Sequence, residues 1–482
     1  MPASPQLAAA LRILAALRAA GHQAYLAGGC VRDLLLGRVP ADYDIATSAT
    51  PDIVLAMFPR TFAVGAHFGV VLVASEPENS SEAPAPPQVA TEVATFRSDG
   101  AYSDGRRPDA VRYTLSAQED VHRRDFTING LLLDPSLIAP QLSSENPLNA
   151  VVRHAVLDHV GGLADLDAGI LRAIGPPALR FEEDQLRLLR AVRFAARFNF
   201  SIDPATHAAL RALAPRIHAV SRERVRDELT KMLTEGRARR AFELLDETGL
   251  LAEVLPEVAR MRGVAQPPQF HPEGDVWTHT LMLLEQLGQR DQLEPDTPLT
   301  LAWGALLHDV GKPPTFSISD RIRFNGHVEV GVAIAAEICR RFRFSNDDTR
   351  QILALVENHM RFADAPRMKA STLKRFFRLD RFSEHLVLHK MDCLAASGNL
   401  DYWNFVRERL AATPAEAVRP HPLLTGRELI AAGYKPGALF KEMLHAAEDA
   451  QLEGAITTTE EALALIHARF GPAQRRPESS DN

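Results

Sequence analysis

The hydrophobic pattern of this chain changes near residue 158, and the change restricts the folds open to it. Between about residues 22 and 135, short β-rich runs at 24–27, 68–74 and 89–96 alternate with helical stretches. This alternation predicts a small α/β unit with a mixed sheet. After residue 158 the pattern is almost wholly helical. We therefore expect an α/β domain followed by all-α domains.

Length and cysteine usage indicate a multidomain protein of a reducing compartment. The 482 residues suggest about three domains at roughly 100–200 residues each. Cys30, Cys339 and Cys393 follow neither disulfide nor zinc-ligand spacing, which favours the cytoplasm. Arg12 and Arg18 interrupt the apolar run at 7–20, so we predict an amphipathic helix and no membrane segment.

Any contact with nucleic acid must come from a local basic patch, because the formal net charge is −7. Arg187, Arg190, Arg193 and Arg197 recur at the spacing of one helix face. On charge alone, a solvated face balanced by nearby glutamates is the favoured interpretation.

The first chemical motif is a glycine turn followed by acidic residues. Gly28 and Gly29 follow a strand-like run and open a helix, so their N–H groups can face phosphate oxygens. Asp42 and Asp44 are two apart, which on a strand places both side chains on one face, about 7 Å apart. That span suits divalent cations. Glu92 lies in an otherwise apolar strand, so it is either a third metal ligand or a sheet-edge residue facing water.

Residues 28–47 (GGCVRDLLLGRVPADYDIAT) resemble the signature of class II CCA-adding enzymes and bacterial poly(A) polymerases. Residues 123–130 (RRDFTING) resemble the ribose-reading motif of that family, which usually has Ala or Ser in place of Gly130. The resemblance implies that Asp42 and Asp44 bind Mg²⁺ with help from Glu92. It also implies that the incoming CTP or ATP contacts Gly28, Gly29, Arg32, Arg123, Arg124, Asp125, Asn129 and Arg190.

The segment 183–190 suggests how a base is chosen. Asp184 and Arg187 lie three apart, which predicts one helix face carrying a hydrogen-bond acceptor beside a donor. That pair suits the Watson–Crick edges of cytosine and adenine and mismatches uracil and guanine. The segment resembles the Glu-Asp-x-x-Arg motif of the family, in which Glu183 holds the arginine. The alternative, a Glu183–Arg187 surface pair, would be favoured if the upstream motifs were absent.

Other segments carry weaker signals. Residues 97–113 resemble the mobile loop of CCA-adding and A-adding members, although a polar loop without function is the alternative. Residues 76–87 and 139–149 are predicted to be surface insertions, and residues 474–482 a disordered tail.

A second chemical site is predicted from histidines and aspartates in the helical part. A lone histidine is more often structural than a ligand, but the His308-Asp309 pair with outlying His279, His327, His359 and Asp392 suits a hydrolytic divalent metal. The series resembles the HD phosphohydrolase superfamily. The resemblance implies a first metal on His279, His308, Asp309 and Asp392 and a second on His327 and His359. Nitrogen ligands favour a transition metal such as Ni²⁺ or Mn²⁺.

These observations predict six regions: a nucleotidyltransferase head (1–157), a helical neck (158–225), a helical body (226–269), an HD domain (270–400), a tRNA-contacting helical region (401–473) and the tail. The predicted activity is addition of C, C and A to tRNA 3′ ends, with a phosphohydrolase in the HD domain. Rivals are an A-adding enzyme, a poly(A) polymerase, and an HD phosphodiesterase whose head only docks RNA. The sequence makes no prediction of oligomeric state.

Overall fold

A computed structural model of the chain describes residues 4–62, 69–74, 90–100, 111–137, 149–288 and 297–472. These residues fall into two compact units, Met1–Ala259 and Arg260–Asn482. The predicted insertion at 76–87, nearly all of the one at 139–149, the centre of the predicted loop and the predicted tail lie outside the described residues. The domain boundaries within each unit stay predictions.

The first unit is built on a seven-stranded sheet in the order β3-β4-β5-β2-β1-β8-β9. Strands β2 and β5 run parallel and the other neighbours antiparallel, so the predicted mixed sheet is confirmed. The strands of this unit are β1 (Ala24–Ala27), β2 (Ile45–Thr47), β3 (Thr61–Phe62), β4 (Val70–Ala74), β5 (Ala90–Thr95), β6 (Arg97–Asp99), β7 (Val111–Tyr113), β8 (Leu131–Leu133), β9 (Val156–Asp158), β10 (Ile170–Leu171) and β11 (Ser201–Ile202).

Strand register brings the predicted motifs to one end of the sheet. Leu26 pairs with Ile45, so the end of β1 meets the beginning of β2. Ile45 pairs with Val93 in parallel, which places Glu92 beside the residue that precedes β2. Ala27 pairs with Leu132, and the Gly28 N–H donates to Leu131 O at 2.9 Å, so the segment before β8 arrives at the same end. The glycine turn, the acidic residues and residues 123–130 therefore converge.

Among the described residues, α-helices form most of the remainder of this unit. The predicted amphipathic helix is confirmed as α1, whose Ser4 cap accepts from Leu7 N and whose buried face includes Ile13 and Leu17. The helices are α1 (Pro5–Ala19), α2 (Gly29–Leu35), α3 (Pro51–Met57), α4 (Ala117–His122), α5 (Asn149–His154), α6 (Gly162–Ala168), α7 (Pro177–Glu183), α8 (Leu186–Phe198), α9 (Pro204–Leu213), α10 (Arg222–Thr234), α11 (Ala238–Glu247), α12 (Leu250–Val254) and α13 (Pro256–Ala259).

The prediction that Asp184 and Arg187 lie on the same helix is wrong. Helix α7 ends at Glu183, Asp184 has extended backbone angles (φ −141°, ψ 104°), and α8 begins at Leu186. Asp184 Oδ1 accepts the Leu186 N–H at 3.0 Å, which satisfies one of the free donors at the start of α8. The aspartate therefore lies before the helix that carries Arg187, and not on its face.

The second unit is helical except for one small hairpin among its described residues, which confirms the predicted change of fold class. Its helices are α14 (Val276–Leu287), α15 (Leu299–Leu307), α16 (Lys312–Thr315), α17 (His327–Arg341), α18 (Asn346–Asn358), α19 (Ala370–Phe377), α20 (Phe382–Ala395), α21 (Asp401–Ala411), α22 (Ala415–Val418), α23 (Gly426–Ala431), α24 (Ala438–Glu453) and α25 (Thr459–Phe470). A 3₁₀ helix spans His359–Arg367, and β12 (Ser317–Ile318) pairs with β13 (Ile322–Arg323).

Aromatic and aliphatic clusters form the core of the second unit. One cluster gathers Phe362, Phe376 and Phe382, and another gathers residues of the last three helices, including Leu429 and Ile466. No helix of the described ranges is long and apolar enough to cross a bilayer.

Candidate functional sites

Three carboxylates gather where β2 begins. Asp42 and Asp44 lie just before the strand and not within it, and Asp44 O accepts from Ala27 N at 3.0 Å. Glu92 lies on β5, an interior strand, so it is not a sheet-edge residue; the residue is exposed, yet partial burial of its carboxylate raises its pKa above the usual value. Burial raises the pKa of Asp44 to about 6, with further contributions from the charges of Glu92 and Asp42.

The mutual effect on the Asp44 pKa indicates that the three carboxylates lie close enough to repel one another, which a bound cation would relieve. They are not as tightly gathered as a formed metal site. Among the described residues, every group of three candidate ligand atoms within 4.8 Å of one another lies in the second unit.

The glycine turn lies close to an arginine side chain. Gly28 has φ +71°, and a Cβ there would lie 2.9 Å from Arg124 Nη1. Asp120, which sequence reasoning missed, is 1% exposed and holds two arginines. Its carboxylate oxygens accept from Arg123 Nη2 at 2.7 Å and Arg124 Nη2 at 3.1 Å. The two arginines predicted to contact the triphosphate are therefore fixed by one buried aspartate.

A chain of hydrogen bonds joins three of the predicted nucleotide-binding segments. Arg32 Nη1 donates to Asn129 Oδ1 at 2.5 Å, Asn129 Nδ2 donates to Asp125 Oδ1 at 3.0 Å, and Arg190 Nη2 donates to Asp125 Oδ2 at 2.6 Å. Burial raises the pKa of Asp125, but Arg190 and Asn129 outweigh it and lower the pKa to about 2. Asp125 is therefore ionised and ties α8 to the segment before β8.

The predicted base-reading residues are both restrained. Arg187 Nη1 donates to Glu183 Oε2 at 2.6 Å and to Arg180 O at 3.0 Å, and Nη2 donates to Arg123 O at 3.1 Å. Asp184 Oδ2 accepts from Arg224 Nη2 at 2.9 Å, a contact with α10 that was not predicted. Restraints of this kind hold a donor and an acceptor in fixed positions, as recognition of one base edge requires.

One of the four arginines of the predicted basic face is not at the surface. Arg193 is 6% exposed, and its guanidinium pairs with Glu228 at 2.7 Å and Glu235 at 3.2 Å. It joins α8 to α10, so it belongs to the core and not to an exposed patch.

The second unit brings together all six predicted metal-ligating residues. Their atoms form two groups, His279–His308–Asp392 and Asp309–His327–His359, each with candidate ligand atoms within 4.8 Å of one another. Asp309 stands between the groups, with Oδ2 3.2 Å from His308 Nε2 and Oδ1 3.7 Å from His359 Nε2. The sequence-based expectation assigned Asp309 to the first metal, whereas this geometry suits an aspartate shared by both.

Each histidine presents Nε2 inward. The Nδ1 atoms of His308, His327 and His359 lie 2.9, 3.0 and 2.7 Å from backbone carbonyls. Nε2 of His279, His308, His327 and His359 is buried and faces the carboxylates of Asp392 and Asp309, at 3.0, 3.2, 4.0 and 3.7 Å. Four buried imidazole nitrogens facing two carboxylates are the donor set of a divalent metal site, because burial of these polar groups is costly unless a metal or a hydrogen bond satisfies them.

Charges in this cluster compensate one another. Burial lowers the pKa of His279, but hydrogen bonds to Asp392 and Glu273 outweigh it and raise the pKa to about 9. Burial, with a smaller contribution from the charge of His308, outweighs the effect of Asp309 and lowers the pKa of His359 to about 4. Lys312 Nζ lies 2.7 Å from Asp309 Oδ2, and with His308 it holds the pKa of Asp309 below its usual range despite burial.

Comparison with protein families assigns three regions of the chain. The Poly A polymerase head domain matches residues 24–172, the probable RNA and SrmB-binding site of polymerase A matches residues 199–261, and the HD domain matches residues 275–396. Head and HD domains of these types are generally metal-dependent.

Whole-chain similarity decides the family. The Multifunctional CCA protein of Nitrosococcus oceani is 34% identical over 436 residues, which cover 87% of this chain and 96% of that protein. The chain belongs to the CCA-adding enzyme family.

Other members of the CCA-adding family match over a shorter stretch. The CCA-adding enzymes of Lactobacillus johnsonii and Geobacillus thermodenitrificans are 37% identical over 281 residues and 40% identical over 255 residues. The matches cover 58% and 53% of this chain, and the chain spans 64% and 56% of the length of these two relatives.

Solved structures agree with this family. The chain superposes on the Bacillus stearothermophilus CCA-adding enzyme, solved in complex with CTP, with a TM-score of 0.69 at 28% identity, covering 97% of this chain and 98% of that one. A Thermotoga maritima CCA-adding enzyme, solved with tRNA, has the same fold at 18% identity, with a TM-score of 0.54 over 95% of this chain and 94% of that one.

Two contacts at the sites of this CCA-adding family member were not predicted, and the sequence contains evidence for only one of them. Asp120 precedes Arg123 and Arg124 by three and four residues on a helical stretch, a spacing that indicates ion pairs. Arg224 is distant in sequence from Asp184, so only the fold reveals the contact.

Proposed function

We propose that this protein adds C, C and A, from CTP and ATP, to the 3′ end of tRNA without a nucleic-acid template. The convergence of the glycine turn, the three carboxylates and residues 123–130 at one end of the sheet is the observation that carries the proposal. The CTP and tRNA complexes of the similar structures support the choice of partners. Three free cysteines are consistent with the cytoplasm as its location.

Asp42, Asp44 and Glu92 would hold the metal, for which we propose Mg²⁺ because the ligands are all carboxylates. When bound, two such ions would activate the RNA 3′-hydroxyl and neutralise the leaving pyrophosphate. Arg123 and Arg124, fixed by Asp120, would orient the triphosphate, and the hydrogen-bonded Asp125 and Asn129 would contact the ribose. Positioning and charge neutralisation account for most of the catalysis in such transfers.

Asp184 and Arg187 would read the base. The carboxylate of Asp184 would accept from the exocyclic amine of cytosine or adenine, while the guanidinium of Arg187 would donate to the neighbouring ring nitrogen. Uracil and guanine present the reverse pattern. Four residues on three segments keep this pair in place: Arg180 and Glu183 on α7, Arg123 after α4, and Arg224 on α10.

Addition to defined tRNA ends tests the proposal. Transcripts that end before CCA, after C and after CC would be incubated with CTP, ATP or both. We expect all three to be completed to CCA and extension then to stop. Addition of A only to the transcript ending in CC would indicate an A-adding enzyme, and long A tails would indicate a poly(A) polymerase.

A second activity, metal-dependent phosphoester hydrolysis, is supported by the four buried Nε2 atoms of the histidine cluster, which face the carboxylates of Asp309 and Asp392. His279, His308 and Asp392 would hold one metal, and His327 and His359 the other, with Asp309 between them; we propose Ni²⁺ or Mn²⁺ because four ligands are nitrogens. When bound, such ions would lower the pKa of the attacking water. Hydrolysis of 2′,3′-cyclic nucleotides with each metal tests this activity, and hydrolysis without any nucleotide addition would favour an HD phosphodiesterase with an RNA-docking head.

A further inference from the structure

Glu273 lies in the loop before α14 and holds two histidines with a single oxygen atom. Its Oε1 is 2.7 Å from His279 Nδ1 and 2.8 Å from His271 Nδ1, and the side chain is only 3% exposed. We propose that Glu273 is a positioning residue for the metal ligand His279, and that His271 fixes Glu273; this inference rests on the metal site of the proposed HD activity.

His279 needs an acceptor that the other three metal-facing histidines find in the backbone. His308 and His359 follow helix ends, where carbonyls lack helical partners, and they use Ala305 O and Val356 O. His279 lies within α14, where the corresponding carbonyl, Val276 O, already accepts from Thr280 Oγ1 at 2.8 Å. A side chain from outside the helix must therefore orient the His279 ring.

The loop before α14 places the Glu273 side chain beside the His279 ring. Gly274 has φ +120°, a conformation that favours glycine, and it turns the chain between Glu273 and the Asp275 cap of α14. The turn directs Glu273 back onto the helix that it precedes. The His271 ring packs edge-on against the His279 ring with centroids 5.0 Å apart, so both rings are held against the same carboxylate.

We expect the loss of Glu273 to affect only one of the two proposed metal positions. A carboxylate that accepts from Nδ1 fixes the tautomer that leaves Nε2 for the metal and makes that nitrogen a better donor. Nε2 of His279 lies 3.0 Å from Asp392 Oδ1, in the group with His308. Glu273 makes no described contact with Asp309, His327 or His359, so its loss should weaken one metal and spare the other.

Calorimetric titration of the full-length protein with Ni²⁺ tests the inference. The variants are Glu273→Ala, Glu273→Gln and His271→Ala, with Glu337→Ala as the control because Glu337 is exposed and pairs only with Arg340 among the described contacts. We expect Glu273→Ala to weaken one class of Ni²⁺ site by roughly 10- to 100-fold and to leave the other unchanged. Glu273→Gln should be intermediate, because the amide oxygen still accepts. Thermal unfolding followed by circular dichroism, measured on the same samples without metal, reports whether the helical second unit of each variant is folded.

Two results would overturn the inference. Wild-type Ni²⁺ affinity in both Glu273→Ala and Glu273→Gln would show that His279 needs no carboxylate, while the proposed metal site would stand. Equal weakening of both classes would show that Glu273 acts on the whole domain and not on His279. Absence of Ni²⁺ binding by the wild type would remove the proposed metal site itself.

Discussion

Asp44 illustrates how single residues of the head depend on a cation. Its raised pKa, about 6, means that the folded protein holds the proton more tightly than the unfolded chain does. The contribution of Asp44 to stability is therefore greatest at acidic pH and falls as pH rises from about 4 towards 6. A bound divalent cation would reverse this loss by balancing the charges.

We accordingly predict that Mg²⁺ raises the melting temperature more at pH 7.5 than at pH 5, and that Asp44→Asn removes most of this difference. Asp44→Ala and Asp42→Ala should abolish nucleotide addition while tRNA binding persists. Differential scanning fluorimetry, a nucleotide-addition assay and a filter-binding assay measure these three effects, with exposed Asp52→Asn as the control. Substantial addition by Asp44→Ala would remove it from the metal site.

A second residue-level prediction concerns base choice. Asp184→Ala or Arg187→Ala leaves half of the recognition edge without a partner, which costs about 1–3 kcal/mol. Discrimination against UTP and GTP should therefore fall roughly tenfold or more. The ratio of kcat/KM for CTP and UTP measures the effect, with the exposed neighbour Glu182→Ala as the control. If the ratio did not change in either variant, base reading would have to be assigned elsewhere.

At this scale motif resemblance singled out the candidate residues, and their roles stay predictions. The structure brings the six residues of the histidine cluster together. Asp120 and Glu273 were missed, although Asp120 lies at a helical spacing from Arg123 and Arg124 that indicates ion pairs. The hydrogen bonds of Glu273 with His279 and of Arg224 with Asp184 form only after folding, and such bonds leave little trace in composition or period.

At the scale of elements, the mixed sheet and the largely helical character after residue 158 followed from the hydrophobic period, whereas the break at Asp184 did not. Residues 177–198 have a continuous helical pattern, because the break affects a single residue and the flanking turns keep their apolar positions. Asp184 ends one helix and satisfies the first donors of the next. The hydrogen bonds at the start of α8 therefore determine the local backbone, although the hydrophobic period is that of one continuous helix.

Gly130 offers a prediction about how elements pack. A Cβ at Gly130 would lie 2.8 Å from Val160 Cγ2 and 3.1 Å from Val121 Cγ1, which explains the absence here of the Ala or Ser usual in the family. We predict that Gly130→Ala destabilises the first unit by about 1–3 kcal/mol. The same change in a Val160→Ala background should be nearly neutral, because the truncated side chain vacates the space.

Urea denaturation of the four proteins in this cycle measures the coupling. Gly162→Ala provides the contrast, because its Cβ would meet backbone, 2.2 Å from Thr127 O. No side-chain truncation can relieve that contact, so Val160→Ala should not rescue Gly162→Ala. Equal stability of Gly130→Ala and the wild type would contradict the steric explanation.

At the scale of the whole molecule, two units carry two ligand sets: carboxylates in the first and imidazoles with carboxylates in the second. The change of fold class was predicted and is confirmed. The grouping of Asp309 with His327 and His359 was not predicted, because the order of residues along the chain gives no distances between them in the fold.

The sites should therefore fail separately. We predict that His308→Ala combined with Asp309→Ala removes hydrolysis of 2′,3′-cyclic nucleotides and leaves nucleotide addition intact, while Asp42→Ala does the reverse. Ni²⁺, Mn²⁺ or Co²⁺ should stimulate hydrolysis more than Mg²⁺ does. Parallel assays of both activities on each variant measure this. Wild-type hydrolysis by the double variant would mark the histidine cluster as structural.

The hydrogen-bonded chain from Arg32 through Asn129 and Asp125 to Arg190 has a consequence for fidelity. A template-dependent polymerase takes sequence information from a separate nucleic acid, so a partly destabilised enzyme still selects the complementary base. Under the proposed function, base choice here depends on the positions of Asp184 and Arg187 at the start of α8, and folding maintains those positions. Heat, or a distant substitution that loosens α8, would therefore cause incorporation of wrong nucleotides at RNA 3′ ends before it abolished activity.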